Sequence, residues 1–177
     1  AIIMAGGLGT RISAVVPDLP KPMIPVCGKP ILLHQIECLK KNGITEITIV
    51  IGYKGDVIKK YFGFGQKFGV SIDYFIEDYP LGTGGAIFKI KGLRKDFLLL
   101  NGALILDIDF NRPIDFHIKH NALVTLFSHP NGHPYDSSLL VTETVFPDEN
   151  DPSLPVSTHR VTQWLNKEDE RTYYQNR

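Results

Sequence analysis

The feature that most constrains this chain is its first stretch, where a short apolar run opens into a glycine-rich turn. Residues 1–5 are uniformly apolar, which is typical of a buried strand in a parallel sheet. Gly6, Gly7 and Gly9 follow at once, interrupted only by Leu8. Glycine lets backbone N–H groups come close to an anion and reaches positive φ without strain. The stretch therefore predicts an anion-binding loop at the carboxyl end of the first strand.

Two cations accompany this loop and extend the prediction toward phosphate. Arg11 carries a planar fork of donors that suits phosphate oxygens, and Lys21 adds a compact positive charge ten residues later. The chain contains no G-x-x-x-x-G-K-S/T run, which argues against a P-loop. Ile12 occupies the position of the third glycine in the dinucleotide fingerprint G-x-G-x-x-G, which disfavours a dehydrogenase-type dinucleotide binder.

Predicted strands and helices alternate along the chain. Strands are predicted at residues 1–5, 46–51, 70–76, 97–100, 124–127, 139–142 and 161–164. Helices are predicted at residues 30–42, 56–62, 83–93 and 114–120. Alternation at this spacing predicts an α/β fold, in which helices cover a mostly parallel sheet and sites lie at the carboxyl ends of strands. We expect residues 1–177 to form a single domain, and we expect the natural protein to be longer because the chain ends without a closing element.

Composition disfavours several classes of partner. Lys and Arg number 19 and Asp and Glu number 19, so no global field attracts nucleic acid or a membrane surface. No apolar run has the length of a membrane span. Cys27 and Cys38 lack the C-x-x-C spacing, which predicts reduced thiols and a cytoplasmic location. We therefore expect neither nucleic acid nor membrane as a partner, and any anion site must be local.

A second glycine-rich segment follows the predicted strand at 70–76. It begins at Glu77, whose carboxylate can accept hydrogen bonds from a base edge, and continues through Gly82, Thr83 and Gly84. Backbone amides in such a segment can meet a base or a phosphate. An ordinary strand-to-helix loop has the same composition, so the spacing alone leaves both interpretations open.

Three runs of residues resemble the sugar-1-phosphate nucleotidyltransferases, also called nucleotidyl pyrophosphorylases. The runs are G-G-L-G-T-R at 6–11, K-P-M-I-P at 21–25 and P-L-G-T-G-G-A at 80–86. The likeness extends from Ala1 to about Arg171 and is strongest toward guanylyltransferases acting on mannose 1-phosphate or D-glycero-D-manno-heptose 1-phosphate. It implies a Rossmann-like three-layer α/β/α sandwich with a mostly parallel mixed sheet, of the nucleotide-diphospho-sugar transferase type.

The resemblance implies transfer of a nucleotidyl group from a nucleoside triphosphate, GTP in this subgroup, to a sugar 1-phosphate, giving a nucleoside diphosphate sugar and pyrophosphate. The implied nucleotide-binding residues are Ala5, Gly6, Gly7, Gly9, Thr10, Glu77, Gly82, Thr83 and Gly84. The implied catalytic cations are Arg11 and Lys21, and the implied sugar-phosphate ligands are Asn101 and Lys167. The implied partners are the two substrates, and the subgroup is compatible with a homo-oligomer and with a fused or partner phosphatase domain.

The chain departs from the family pattern at one position. The family carries an aspartate that binds Mg²⁺ directly after an Asn-Gly pair, and Ala103 stands there in this sequence, so no metal ligand is intact. A methyl group offers no oxygen to a hard divalent cation. Asp107 and Asp109 lie close by, and we expect them to be solvated or capping acids rather than substitute ligands. This departure leaves open a catalytically silent nucleotide-binding domain.

Overall fold

A computed structural model of the chain describes residues 1–7, 9, 18–82, 84–128, 138–145 and 158–165. The chain divides into two compact units, residues 1–122 and residues 123–177, which are described separately. Within these ranges no helix combines the length and apolarity needed to cross a bilayer. The expectation of a single domain over 1–177 stays a prediction.

The first unit contains six strands and three α-helices among the described residues. In chain order the strands are β1 (Ile2–Met4), β2 (Pro25–Val26), β3 (Lys29–Pro30), β4 (Glu46–Ile51), β5 (Ser71–Ile76) and β6 (Leu99–Asn101). The helices are α1 (Ile31–Lys41), α2 (Gly55–Phe62) and α3 (Asn111–Lys119). Short 3₁₀ turns form at Lys21–Met23, Gln66–Phe68 and Gly85–Phe88.

Four of these strands form one parallel sheet in the order β5-β4-β1-β6. β1 lies inside the sheet, with Ile3 opposite Ile49 of β4 on one side and opposite Leu100 of β6 on the other. Ile2 and Ile3 are both buried, as the uniformly apolar run predicts. The mostly parallel sheet of an α/β fold is therefore confirmed, and the ends of four strands meet at one edge.

Helix α1 packs on this sheet through the face that its sequence predicts. Leu32, Ile36 and Leu39 are fully buried in the main core. Pro30 has extended backbone angles, so the helix begins at Ile31 rather than at the proline itself. Gly43 follows the end of the helix with a positive φ of 77°, a conformation that glycine adopts without strain. Burial of this apolar face, rather than helix propensity, supplies most of its stability.

Two predicted elements are wrong. The helix predicted over 83–93 is reduced in the described residues to the 3₁₀ turn Gly85–Phe88, because glycine is a poor helix former and Gly82 and Gly92 both have positive φ. The strand predicted at 124–127 does not form a regular strand, and Val124 is 71% exposed. A β-branched composition expresses a preference for a half-buried pleated surface, and Val124 lies largely in solvent instead.

The described part of the second unit contains a hairpin of two antiparallel strands, β7 (Leu139–Val145) and β8 (Thr158–Leu165). Leu140 lies opposite Trp164, and the register shifts between Val141 and Thr142. Both strands overlap the predicted ones and are longer.

Tyr74 gives the first unit a specific sensitivity to alkaline pH. Its hydroxyl donates a hydrogen bond to the carbonyl oxygen of Gly63 at 2.7 Å, and burial raises the pKa of Tyr74 to about 12 from an ordinary 10.0. The folded chain therefore holds this proton where the unfolded chain has lost it. We expect the stabilisation to be complete below pH 10 and to be lost as pH rises toward 12.

The measurement is the urea midpoint of unfolding at pH 8, 10 and 11 for the wild type and for Tyr74→Phe. The wild-type midpoint should fall more steeply above pH 10, since the variant has no phenol to ionise at this position. Lysine ionisation affects both proteins, so parallel pH dependences would contradict the assignment.

Candidate functional site

The carboxyl ends of the parallel strands surround one cavity of about 350 Å³. Its lining residues are Met4, Gly6, Gly7, Glu77, Pro80, Leu81, Gly82 and Asn101. They come from the last residues of β1 and β6 and from the segments that follow β1 and β5. In open α/β sheets this edge is where ligands bind, because the loops there carry backbone groups that no strand has paired.

The glycine loop after β1 brings unpaired backbone donors to this cavity. Directly after the strand, the Ala5 N–H donates to the carbonyl oxygen of Val50 at 2.8 Å. Beyond it, the N–H groups of Gly6 and Gly7 have no backbone acceptor among the residues that the structure describes. Gly9 has a φ of 62°, in the left-handed region where glycine is favoured. The arrangement can present amides to an anion.

Glu77 places a carboxylate against this loop. Its own N–H donates to the carbonyl oxygen of Ile51 at 2.8 Å, which fixes the backbone at the end of β5. The side chain lies so close to Gly6 that a Cβ added there would overlap Oε2. Oε1 is buried and has no hydrogen-bond partner within the described ranges. An unpaired buried acceptor costs free energy, so the carboxylate is ready to receive a donor from a ligand.

The segment after Glu77 forms another wall of the cavity. Pro80, Leu81 and Gly82 all line it, and Gly82 has a φ of 78°. Tyr79 is held from outside by Lys89, whose Nζ donates to the tyrosine hydroxyl at 2.8 Å. This segment and Glu77 therefore line the same cavity.

The end of β6 provides the remaining part of the cavity. The Gly102 N–H donates to the carbonyl oxygen of Met4 at 2.8 Å, and a Cβ at Gly102 would lie 2.8 Å from that same oxygen and 3.0 Å from the Cα of Ala5. Only glycine lets β6 approach β1 this closely. Asn101 is exposed and lines the cavity, and Ala103 is half-buried.

Comparison with known proteins agrees with this geometry. The family described as Nucleotidyl transferase matches residues 1–136. The chain belongs to the nucleotidyl transferase family. The D-glycero-alpha-D-manno-heptose 1-phosphate guanylyltransferases of Campylobacter jejuni and Aneurinibacillus thermoaerophilus are 46% and 42% identical over 63% and 73% of this chain. The chain spans only 51% and 57% of their own lengths.

Solved structures also match. HddC from Yersinia pseudotuberculosis superposes with a TM-score of 0.59 at 36% identity, covering 66% of this chain and 53% of that chain. HddC complexed with GMP-PN gives a TM-score of 0.58 at 35% identity over the same shares of the two chains. The predicted family and the α/β Rossmann-like fold are thereby confirmed.

Five of the predicted site residues line the cavity: Gly6, Gly7, Glu77, Gly82 and Asn101. Ala5 is buried next to the loop, and Gly84 precedes the 3₁₀ turn at Gly85–Phe88. Lys21 is exposed at the start of another 3₁₀ turn and does not line the cavity. Thr10, Arg11, Thr83 and Lys167 lie outside the described residues. Met4 was missed, although its position as the last residue of β1 could have indicated it.

Among the described residues, this cavity lacks a carboxylate at position 103, where the resemblance places the ligand of Mg²⁺. Glu77 and Asn101 are the lining side chains that carry oxygen, and Ala103 offers none. No group of three His, Cys, Asp or Glu side chains able to hold a metal occurs in the described part of the chain. Oδ1 of Asp107 lies 3.5 Å from Nζ of Lys41, and Oδ1 of Asp109 accepts a hydrogen bond from the Asn111 N–H at 3.1 Å. These two acids are therefore solvated and capping residues, as predicted.

Proposed function

We propose that this chain is the nucleotide-binding part of a sugar-1-phosphate guanylyltransferase. It would transfer a guanylyl group from GTP to a mannose-like or heptose-like sugar 1-phosphate. The observation that carries the proposal is the Glu77 carboxylate, which lines one cavity with Gly6 and Gly7 and whose buried Oε1 has no hydrogen-bond partner among the described residues. The guanylyltransferases among its relatives support the same class of reaction.

Glu77 suits guanine through the shape of the hydrogen bonds. Guanine presents N1–H and N2–H side by side on one edge, and a carboxylate accepts both in parallel. Adenine presents the lone pair of N1 at the same edge, which a carboxylate repels. Uracil and thymine offer one N–H between two carbonyl oxygens. The carboxylate therefore favours GTP over the other nucleoside triphosphates.

The reaction itself needs no nucleophile from the protein. An oxygen of the sugar phosphate attacks the α-phosphorus of GTP, and the bond from that phosphorus to the α–β bridging oxygen breaks. Pyrophosphate leaves with the electron pair, and the nucleoside diphosphate sugar remains. Positioning and charge neutralisation supply most of the acceleration in phosphoryl chemistry.

Each predicted residue has a role in that positioning. The amides of Gly6, Gly7 and Gly9 would hold the phosphates. The other predicted nucleotide-binding residues would complete this site: Ala5, Thr10, Glu77, Gly82, Thr83 and Gly84. Arg11 and Lys21 would neutralise charge on the leaving pyrophosphate. Asn101 and Lys167 would hold the sugar phosphate. A cytoplasmic location, a homo-oligomer and a fused or partner phosphatase domain complete the proposal.

The test is isothermal titration calorimetry of the chain with GTP, ATP and UTP in the presence of EDTA. We expect GTP to bind at least about tenfold more tightly than ATP or UTP, since two hydrogen bonds to a carboxylate are at stake. Equal affinities would overturn the assignment of guanine, and absence of binding by all three would overturn nucleotide binding altogether.

A second function, nucleotide binding without transfer, is favoured by Ala103 alone. The relatives from Campylobacter jejuni and Aneurinibacillus thermoaerophilus are both described as guanylyltransferases, which favours the transferase. Release of pyrophosphate from GTP and mannose 1-phosphate, measured against a blank without sugar phosphate, separates the two.

A further inference from the structure

One side of helix α1 holds the irregular segment that follows β6. Gln35, Cys38 and Asn42 are spaced by three and four residues, so they share one face of the helix and its end. Gln35 donates through Nε2 to the carbonyl oxygen of Asn101 at 2.7 Å. Asn42 donates to the carbonyl oxygen of Ile108 at 3.0 Å, and the sulfur of Cys38 lies 3.8 Å from the same oxygen.

The two amides of this face differ in how completely they are paired. Asn42 also accepts from the Phe110 N–H at 2.9 Å and donates to the Cys38 carbonyl oxygen at 2.8 Å, so both of its polar atoms are paired. Gln35 is fully buried, and its Oε1 has no hydrogen-bond partner among the described residues. An unpaired buried amide oxygen destabilises a fold, and an apolar residue of the same size would avoid that cost.

Gln35 binds a backbone carbonyl at the end of β6 that is unpaired in the described sheet. Gly102 donates its N–H to Met4 of β1, and successive residues of a strand direct their backbone groups to opposite sides. The carbonyl group of Asn101 therefore faces away from β1. No further strand pairs with β6 on that side in the described sheet, and the Gln35 amide takes the place of a ladder donor.

The same hydrogen bond fixes a residue of the cavity. Asn101 lines the cavity, whereas Ile108 and Phe110, which Asn42 holds, do not. We propose that Gln35 is a positioning residue for the sugar-phosphate side of the site, acting through the backbone of Asn101. This inference rests on the proposed function, because it presumes that the cavity binds a nucleotide and a sugar phosphate.

The experiment compares Gln35→Met with Asn42→Leu, which removes amide contacts to the same segment away from the cavity. Calorimetry gives the Kd of each protein for GDP and for GDP-mannose, and the ratio of the two reports on the sugar side. Mannose suits either proposed sugar, because the heptose differs by one carbon beyond C6. We expect Gln35→Met to raise the Kd for GDP-mannose about tenfold, which corresponds to about one hydrogen bond. The Kd for GDP should change less than about twofold.

Asn42→Leu should lower the urea midpoint and leave the ratio of the two Kd values unchanged. Cys38→Ala is the substitute control if Asn42→Leu does not fold, and Gln35→Asn, which withdraws the amide by one methylene, replaces Gln35→Met in the same case. Asn101→Ala completes a double-mutant cycle. Gln35→Met should add little to the loss caused by Asn101→Ala, since the two act through one side chain.

The outcomes separate this inference from the function on which it rests. A wild-type chain that binds neither GDP nor GDP-mannose overturns both. A wild-type chain that binds both ligands, with a Gln35 variant that changes the two affinities equally or not at all, overturns the positioning role alone. Additive losses in the double-mutant cycle also overturn it.

Discussion

Replacing Glu77 by Gln is expected to weaken GTP binding by about a hundredfold, because two charge-assisted hydrogen bonds are lost or inverted. The amide keeps the shape of the carboxylate but turns one acceptor into a donor, which then faces a donor of guanine. Glu77 lines the cavity, and its buried Oε1 has no hydrogen-bond partner in the described part of the chain. Binding of ATP should not weaken, because the amide can pair with both the acceptor and the donor of adenine.

The measurement is calorimetry of Glu77→Gln with GTP and ATP, and Asp78→Asn is the matched control. Asp78 is the next residue, is exposed and does not line the cavity, so its substitution changes the net charge equally without touching the site. Equal losses of GTP affinity in the two variants would mean that Glu77 acts only through long-range charge. Unchanged GTP affinity in Glu77→Gln would remove the carboxylate from base recognition.

Replacing Ala103 by Asp is expected to give the chain a dependence on Mg²⁺ that the wild type lacks. Mg²⁺ prefers oxygen ligands and is commonly held by one or two carboxylates together with substrate phosphates. We expect GTP to bind Ala103→Asp about tenfold more tightly with Mg²⁺ than with EDTA, and pyrophosphate release to rise about a hundredfold over the wild type.

Ala103→Asn is the control, because it has the size of aspartate without the charge. Binding of Mn²⁺ to the GTP complex, followed by water-proton relaxation, gives a readout that does not depend on turnover. If Ala103→Asp and Ala103→Asn behave alike, residue 103 is not the position that decides metal binding. A wild-type chain whose GTP affinity already falls about tenfold in EDTA would show that other residues hold the metal.

Much of the fold follows from local sequence. The strand predicted at 46–51 has the same bounds in the structure, because a β-branched and apolar run favours a buried strand. Beyond Glu46 it is almost wholly buried. Helix α1 was predicted from an apolar face that recurs at the helical period. The helix predicted over 83–93 is a 3₁₀ turn at Gly85–Phe88 in the described residues, because composition does not reveal which glycines have a positive φ. The strand expected at 124–127 depended on burial in a sheet, which local sequence does not specify, and Val124 is exposed.

The cavity was predictable to the extent that it is made of strand ends. Gly6, Glu77 and Asn101 each follow or end a parallel strand, and such ends meet at one edge of a sheet. The hydrogen bond from Gln35 to Asn101 joins residues 66 positions apart, so only the packed structure reveals it. The exposed position of Lys21 also depends on how the chain turns, which a spacing of ten residues does not determine.

The central position of β1 has a consequence for synthesis on the ribosome. Ile2 leaves the ribosome before both of its neighbours in the sheet, Thr48 and Leu99. At translation rates of about 5 to 20 residues per second, Leu99 is synthesised about 5 to 20 seconds after Ile2. During that interval the apolar β1 segment is exposed without β6. Early binding by a holding chaperone would therefore benefit this polypeptide.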